Sequence, residues 1–379
     1  MAEQSSTLAS KPSEAWFENT WWWKVKLRLQ WTGWLQFIPN LAASVLMLLL
    51  AAIGVLIPVW PWVFVGLPSF LAAMLFLNLM FDIATVRFGL HPEEALPIPR
   101  EDLDDLDLIR ARVSCRSFQK RDLTAAHKTQ ILDLVQAVSR PENCVGTHPI
   151  RLEYLAAPLT VWPVVGGTEF LVAIAERTYH EDAVLDIGRS LQQVVLQATR
   201  MGLATCWIGP GADPSSIAQH LGPRFDPMRD HVICVCAIGY ASRYKPLSLR
   251  LMQRSQRWRK PIADLFYADT NCTDPIDINA EPYAAFDRCL EGCQWSPSSY
   301  NSQTTRAVVN VEGAKLTRVD FCAATKSRYY AVVALGIWIA NWEFGCRALG
   351  IDGHVVKVSV ADEHRPELPR YVLSWIRDM

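Results

Sequence analysis

The sequence predicts an α+β protein preceded by a transmembrane helical hairpin, and three observations carry that class. Two charge-free apolar runs, residues 40–59 and 61–81, stand side by side near the start. From residue 108 onward, helix-like and strand-like patterns alternate. After residue 269 a shorter succession of the same kind begins again, so the globular part reads as two unequal halves, 108–268 and 269–379.

Composition supports a chain that meets lipid. Half of the 379 residues are hydrophobic, which is unusual for a wholly water-soluble protein, and the excess is concentrated between Trp16 and Phe88. The formal net charge of −1 supplies no basic field, so nucleic acid is excluded as a partner. Most of the ten cysteines lie inside apolar segments, where reduced buried thiols are expected. Cys234 and Cys236 would share one face of a strand, and Cys289 and Cys293 would stack one turn apart on a helix. Neither pair has a second pair at zinc-site spacing, so no metal site is expected.

Residues 1–90 form the expected anchor. At about 1.5 Å per residue, a helix of some 20 residues crosses the roughly 30 Å hydrocarbon core, and each apolar run is that long. Pro58 and Pro61 break the helix between them, giving a hairpin of two spans. Upstream, residues 16–37 carry six tryptophans interleaved with Lys24, Lys26 and Arg28, which predicts an interfacial helix. These cations and Arg87 place both ends of the hairpin, and the globular part, on the cytosolic side. Residues 91–107, acidic and bearing Pro92, Pro97 and Pro99, read as a linker that holds the next domain off the membrane.

The first half opens with Arg112-Val113-Ser114-Cys115-Arg116, where alternate residues of an extended segment would gather two guanidiniums and a hydroxyl on one side. Thr124 is the expected N-cap of an amphipathic helix reaching Val138. A strand is expected over 166–174, a long amphipathic helix over 186–201 closed by Gly202, a short helix over 214–221 and a strand over 231–239. In the second half, an amphipathic helix over 286–295 runs into Ser296-Pro297-Ser298-Ser299-Tyr300-Asn301-Ser302-Gln303. Two strands, 306–312 and 314–321, turn at Glu312-Gly313, and a helix over 331–349 ends at Gly350.

The order of these pieces resembles the nitroreductase family. An Arg-x-Ser-x-Arg start precedes the Asp186-Ile187-Gly188 helix, the run Gly202-Leu203 to Cys206-Trp207-Ile208-Gly209, and a strand ending Ile238-Gly239-Tyr240. The family's Ser-Pro-Ser-Ser-x-Asn-x-Gln loop is missing after the first half's opening helix, where residues 140–149 stand instead, and it reappears at 296–303. The second half in turn lacks the Arg-x-Ser-x-Arg start. This complementarity resembles the tandem nitroreductases, and the resemblance covers residues 108–375.

The resemblance implies a three-layer fold built as an intrachain pseudo-dimer around one FMN, with no further oligomerisation needed to complete the flavin site. It assigns Arg112, Ser114 and Arg116 to the FMN phosphate and flavin edge, and the backbone at Ile208 and Gly209 to the isoalloxazine. Arg257, Arg259 and Lys260 would close over the phosphate, and Pro297, Ser298, Ser299, Asn301 and Gln303 would hold the ring. It implies NAD(P)H as electron donor and a nitroaromatic, quinone-like or other electron-poor small molecule as acceptor. Flavin carries the chemistry, so no catalytic side chain is expected. Where the family has Pro-Trp after the glutamine, this chain has Thr304-Thr305, which leaves a non-catalytic flavin-binding or scaffold protein as the alternative.

Overall fold

The computed structural model describes residues 34–57, 59–159, 161–209, 212–255, 258–358 and 367–378. Most of the expected interfacial helix, residues 16–33, therefore lies outside the described residues. A 3-10 turn at Leu35–Phe37 leads into helix α1 (Ile38–Gly54), and a π-turn at Trp62–Gly66 leads into α2 (Leu67–Asp82). With their flanking turns the two units span Leu35–Gly54 and Trp62–Arg87, both long and apolar enough to cross a membrane. Many of their large apolar side chains, among them Leu48, Ile53, Phe70 and Leu77, are exposed. Between the helices Asn40 Nδ2 donates to Asn78 Oδ1 at 3.1 Å. Gly54 admits the backbone of Phe64, whose carbonyl oxygen would lie 2.1 Å from any Cβ placed there.

The chain that follows packs back onto the globular part instead of standing clear of it. Glu94 is buried, its carboxylate accepting from Ser242 Oγ at 2.7 Å and from the Arg243 amide at 2.7 Å. His91 stacks on Tyr244 with ring centroids 4.1 Å apart. A proline-rich acidic segment reads as a spacer, but one buried carboxylate with two donors suffices to pin it down. The hairpin base is tied in as well: Lys120 Nζ donates to the Val86 carbonyl at 2.6 Å, and the Leu247 amide to Asp82 Oδ2 at 2.9 Å.

Helix α3 (Asp105–Ala111) starts at Asp104, whose side chain accepts from the Asp107 amide. Helix α4 (Ala125–Val138) starts at Thr124, whose hydroxyl accepts from the His127 amide at 3.3 Å. Then come β1 (Arg151–Ala156), β2 (Glu169–Glu176), the long helix α5 (Glu181–Arg200), β3 (Ala204–Ile208), α6 (Pro214–Leu221) and β4 (Asp230–Gly239). These strands form an antiparallel sheet in the order β1-β2-β4-β3. Cys234 and Cys236 share the face turned to α5, in a cluster with Ile187, Leu191 and Val195.

Helix α7 (Leu247–Ser255) carries the chain toward the second half. There β5 (Phe266–Tyr267), helix α8 (Asp287–Gln294), β6 (Thr305–Glu312), β7 (Lys315–Ala323), helix α9 (Tyr330–Ala348), β8 (Gly353–Val356) and β9 (Arg370–Arg377) follow. Their sheet has the order β5-β6-β7-β9-β8, parallel only between β5 and β6. Its core is aromatic. Trp342 is fully buried, stacked on Phe286 at 5.7 Å and edge-on to Trp375 at 5.5 Å. Burial of each such ring stabilises by about 1.5–3 kcal/mol.

The long helices α5 and α9 cross at glycines and join the halves. A Cβ on Gly188 would lie 2.3 Å from the Val333 carbonyl oxygen, and one on Gly336 would lie 2.1 Å from that of Leu185. The contact is therefore backbone against backbone. Arg189 forks onto Glu343 with bonds of 2.7 and 2.8 Å; burial opposes its charge, yet Glu343 holds the guanidinium above its ordinary pKa. A buried relay, Gln192 Nε2 to Asn341 Oδ1 at 2.9 Å and Asn341 Nδ2 to Ser296 Oγ at 2.7 Å, runs from the first half into the serine-rich loop.

Candidate functional site

The segment after α3 lies alongside the edge strand β3. Ser114 bridges Thr205 in parallel register, and the Cys115 amide donates to the Thr205 carbonyl at 2.8 Å. Cys115 turns into the core, with its thiol pushed up by burial. Arg112 is also buried, at 6% exposure, and its Nη1 has no hydrogen-bond partner. Burial, first, and then the neighbouring charges of Arg259 and Arg116 push its pKa down to about 10.

Ion-paired or not, a buried cation must be compensated, because desolvation of a full charge is costly. Around Arg112 the neighbouring charges are two further guanidiniums, which makes this donor set fit a multiply charged anion such as a phosphate ester.

The serine-rich loop reaches the same cluster from the second half. Ser298 Oγ accepts from the Gln303 amide at 2.9 Å, and Tyr300, Asn301 and Gln303 all take left-handed backbone conformations, with φ of 52°, 56° and 49°. Such conformations are uncommon outside glycine and persist where surrounding bonds fix them. Here those bonds go to residues 258–260. Arg259 Nη1 donates to Asn301 Oδ1 at 2.8 Å, Asn301 Nδ2 to the Trp258 carbonyl at 2.8 Å, and the Lys260 amide to Gln303 Oε1 at 2.8 Å. The Arg259 guanidinium also lies over Trp295, 5.1 Å from the ring centroid.

Arg259 is thus charge-coupled to Arg112 on one side and hydrogen-bonded to Asn301 on the other. Residues nearly two hundred positions apart share one cluster. Lys260 joins it through its backbone, while its ammonium lies over the Trp258 ring. Arg257 lies outside the described residues. Pro297 is buried, and Ser298 and Ser299 are half-buried beside it.

Ile208 is buried in the first half's core, and Gly209 ends the strand against the second half: a Cβ there would lie 3.3 Å from the Tyr330 ring. Tyr330, Trp295 and Trp258 were not marked by any sequence pattern. Their roles come from long-range packing, which no local spacing reveals. The hydroxyls of Thr304 and Thr305, and Trp207 Nε1 beside Ile208, are buried without hydrogen-bond partners. Orphaned donors at these positions accord with a polar ligand between the halves.

On the other side of the 112–116 segment, a cavity of about 340 Å³ is lined by Val113, Cys115, Thr205, Lys245 and Gln253. It belongs to the back of the segment, away from the alternating arginines.

The family model described as "Putative TM nitroreductase" matches residues 105–345. Among solved structures, a nitroreductase from Thermotoga maritima MSB8 is 18% identical, with 76% of this chain and 96% of its own chain covered, at a TM-score of 0.45. A nitroreductase with bound FMN from Bacteroides fragilis NCTC 9343 is 18% identical over 38% of this chain and 92% of its own, at 0.31. A nitroreductase family protein from Clostridium difficile 630 is 19% identical over 42% and 94%, at 0.32. No curated protein matches the chain.

Proposed function

The chain belongs to this nitroreductase family, and from that premise we propose that it is a membrane-anchored, FMN-dependent oxidoreductase. It passes reducing equivalents from NAD(P)H to an electron-poor small molecule of nitroaromatic or quinone type. The observation that carries the reading is Arg259, whose charge acts on the buried Arg112 and whose guanidinium bonds Asn301 of the serine-rich loop. One flavin would then be held by both halves of one chain, with no second chain needed.

Bound FMN supplies the hydride chemistry. Arg112, Arg116, Arg259 and Arg257 would hold its phosphate, and Ser114 with the backbone at Ile208 and Gly209 would hold the flavin from the first half. Pro297, Ser298, Ser299, Asn301 and Gln303 would hold it from the second, with Gln303 itself held by the Lys260 amide. Bonds to residues 258–260 fix the left-handed backbone of this loop, so it would meet the ring without rearrangement. Tyr330, packed at Gly209, screens the site from water and narrows the face open to an acceptor. The helices spanning Leu35–Gly54 and Trp62–Arg87 anchor the chain as a two-span hairpin, with the globular part facing the cytosol.

A second reading, a flavin-binding protein without turnover, is favoured by Thr304-Thr305 and by Tyr330 standing against Gly209. Anaerobic mixing of the flavin-loaded, detergent-purified protein with NADH or NADPH separates the two. Bleaching of the flavin absorbance, restored by menadione or a nitroaromatic, supports the oxidoreductase. Flavin that is retained yet never bleaches supports the binding protein, and a chain that retains no flavin contradicts both.

A further inference from the structure

The first half has its own loop between helix and strand, residues 139–150, in the chain position that the serine-rich loop holds in the second half. It is built differently. Its amides fold onto two carboxylates at the start of α5: Val145 and Gly146 donate to Asp186 at 2.9 and 2.8 Å, and Thr147 donates to Asp182 at 3.2 Å. Asp182 packs so closely on Gly146 that a Cβ there would lie 2.4 Å away. These amides are thereby satisfied from within the chain.

The same fold brings two imidazoles together. His148 Nδ1 lies 2.7 Å from Asp182 Oδ2, and the His148 and His180 rings stack with centroids 3.5 Å apart. Glu176 Oε2 is 3.5 Å from His180 Nε2. One ligand atom from each of His148, His180 and Asp182 lies within 4.8 Å of the other two, and all three side chains are about one-third exposed. Among the described residues no other group of three or more His, Cys, Asp or Glu side chains meets that spacing.

We propose that His148, His180 and Asp182 form a binding site for a divalent first-row transition ion of the zinc type. Two imidazole nitrogens and one carboxylate oxygen are a donor set such ions prefer, with a remaining position for water. The ion takes the place of the proton between His148 Nδ1 and Asp182 Oδ2; that proton moves to Nε2 as the neutral ring changes tautomer. His180 binds through Nδ1, its Nε2–H directed at Glu176, the orienting carboxylate that ligating histidines commonly have. Turning the two stacked rings out of their parallel arrangement would aim both nitrogens and the Asp182 carboxylate at one ion. The site staples the 139–150 loop to the start of α5 and includes none of the candidate flavin residues.

The test is titration of Co2+ into the flavin-loaded full chain, purified without a polyhistidine tag, followed by its visible d–d absorption and by competition with Zn2+. One Co2+ per chain, displaced by Zn2+, is expected. His180→Ala, which leaves every loop hydrogen bond in place, should abolish the bands without changing FMN content, and His180→Asn should do the same if the alanine variant misfolds. Glu176→Gln should weaken binding about 10–100-fold. Absence of d–d bands in the parent chain, or bands that survive in His180→Ala, would overturn the assignment.

Discussion

Arg112→Leu should stabilise the flavin-free chain and impair its binding of FMN, a pair of opposite effects that follows from where the guanidinium sits. Its pKa falls from the ordinary arginine value to about 10 through burial and the charges of Arg259 and Arg116. At 1.36 kcal/mol per unit, that displacement is worth about 3 kcal/mol against the charged form in the folded state. The sign is clear at neutral pH. A cation whose folded pKa is lowered is destabilising at every pH below that value, and the effect fades only as pH rises above about 10 toward the ordinary arginine value. Leucine keeps part of the packing of the arginine stem and removes the charge, so a net gain of about 2 kcal/mol is expected, or roughly 4–8 °C in the melting temperature. Parent chain held at 100 times its Kd for FMN should gain about 2.7 kcal/mol from the ligand, and the variant almost none at the same concentration. Differential scanning of detergent-purified, flavin-stripped protein, with and without FMN, measures both quantities. A variant less stable than the parent without FMN, or one stabilised by FMN as much as the parent, would refute the reasoning.

Gly336→Val places side-chain atoms where the Leu185 carbonyl and the Arg189 amide already stand, 2.1 and 2.8 Å from a Cβ. The loss should exceed the usual overpacking range of about 1–3 kcal/mol, and denaturation followed by tryptophan fluorescence should show both halves weakened together. Arg189→Leu leaves Glu343, its side chain only 16% exposed, unpaired and should lose about 3 kcal/mol in the same assay, most of it recovered when Glu343→Leu is added. Cell membranes washed with alkaline carbonate should retain the full chain in the pellet, and its release into the supernatant would contradict the two-span hairpin.

Local chemistry made much of the fold legible. Thr124 caps its helix, Gly202 and Gly350 close theirs with φ of 78° and 67°, and the helix expected at 214–221 forms over those residues. The expected strand at 166–174 begins later, at Glu169, because Gly166 turns with φ of 74°. Strand β1 has no sequence signal, since its burial alternates poorly, and neither do β8 and β9: β9 exists through pairing with the distant β7, and β8 through pairing with β9. For the site, the arginine segment and the serine-rich loop were readable because each carries a compact pattern. Their junction at Arg259, the rings of Trp295 and Tyr330, and the meeting of His148 with His180 depend on contacts that no single stretch of sequence encodes.

The flavin stoichiometry tests the shared site most directly. Calorimetric titration of FMN into the stripped chain should give one site per polypeptide, with affinity reduced both by Arg112→Ala in the first half and by Asn301→Ala in the second. Two sites, no site, or one site indifferent to either substitution would contradict a flavin held jointly across the chain.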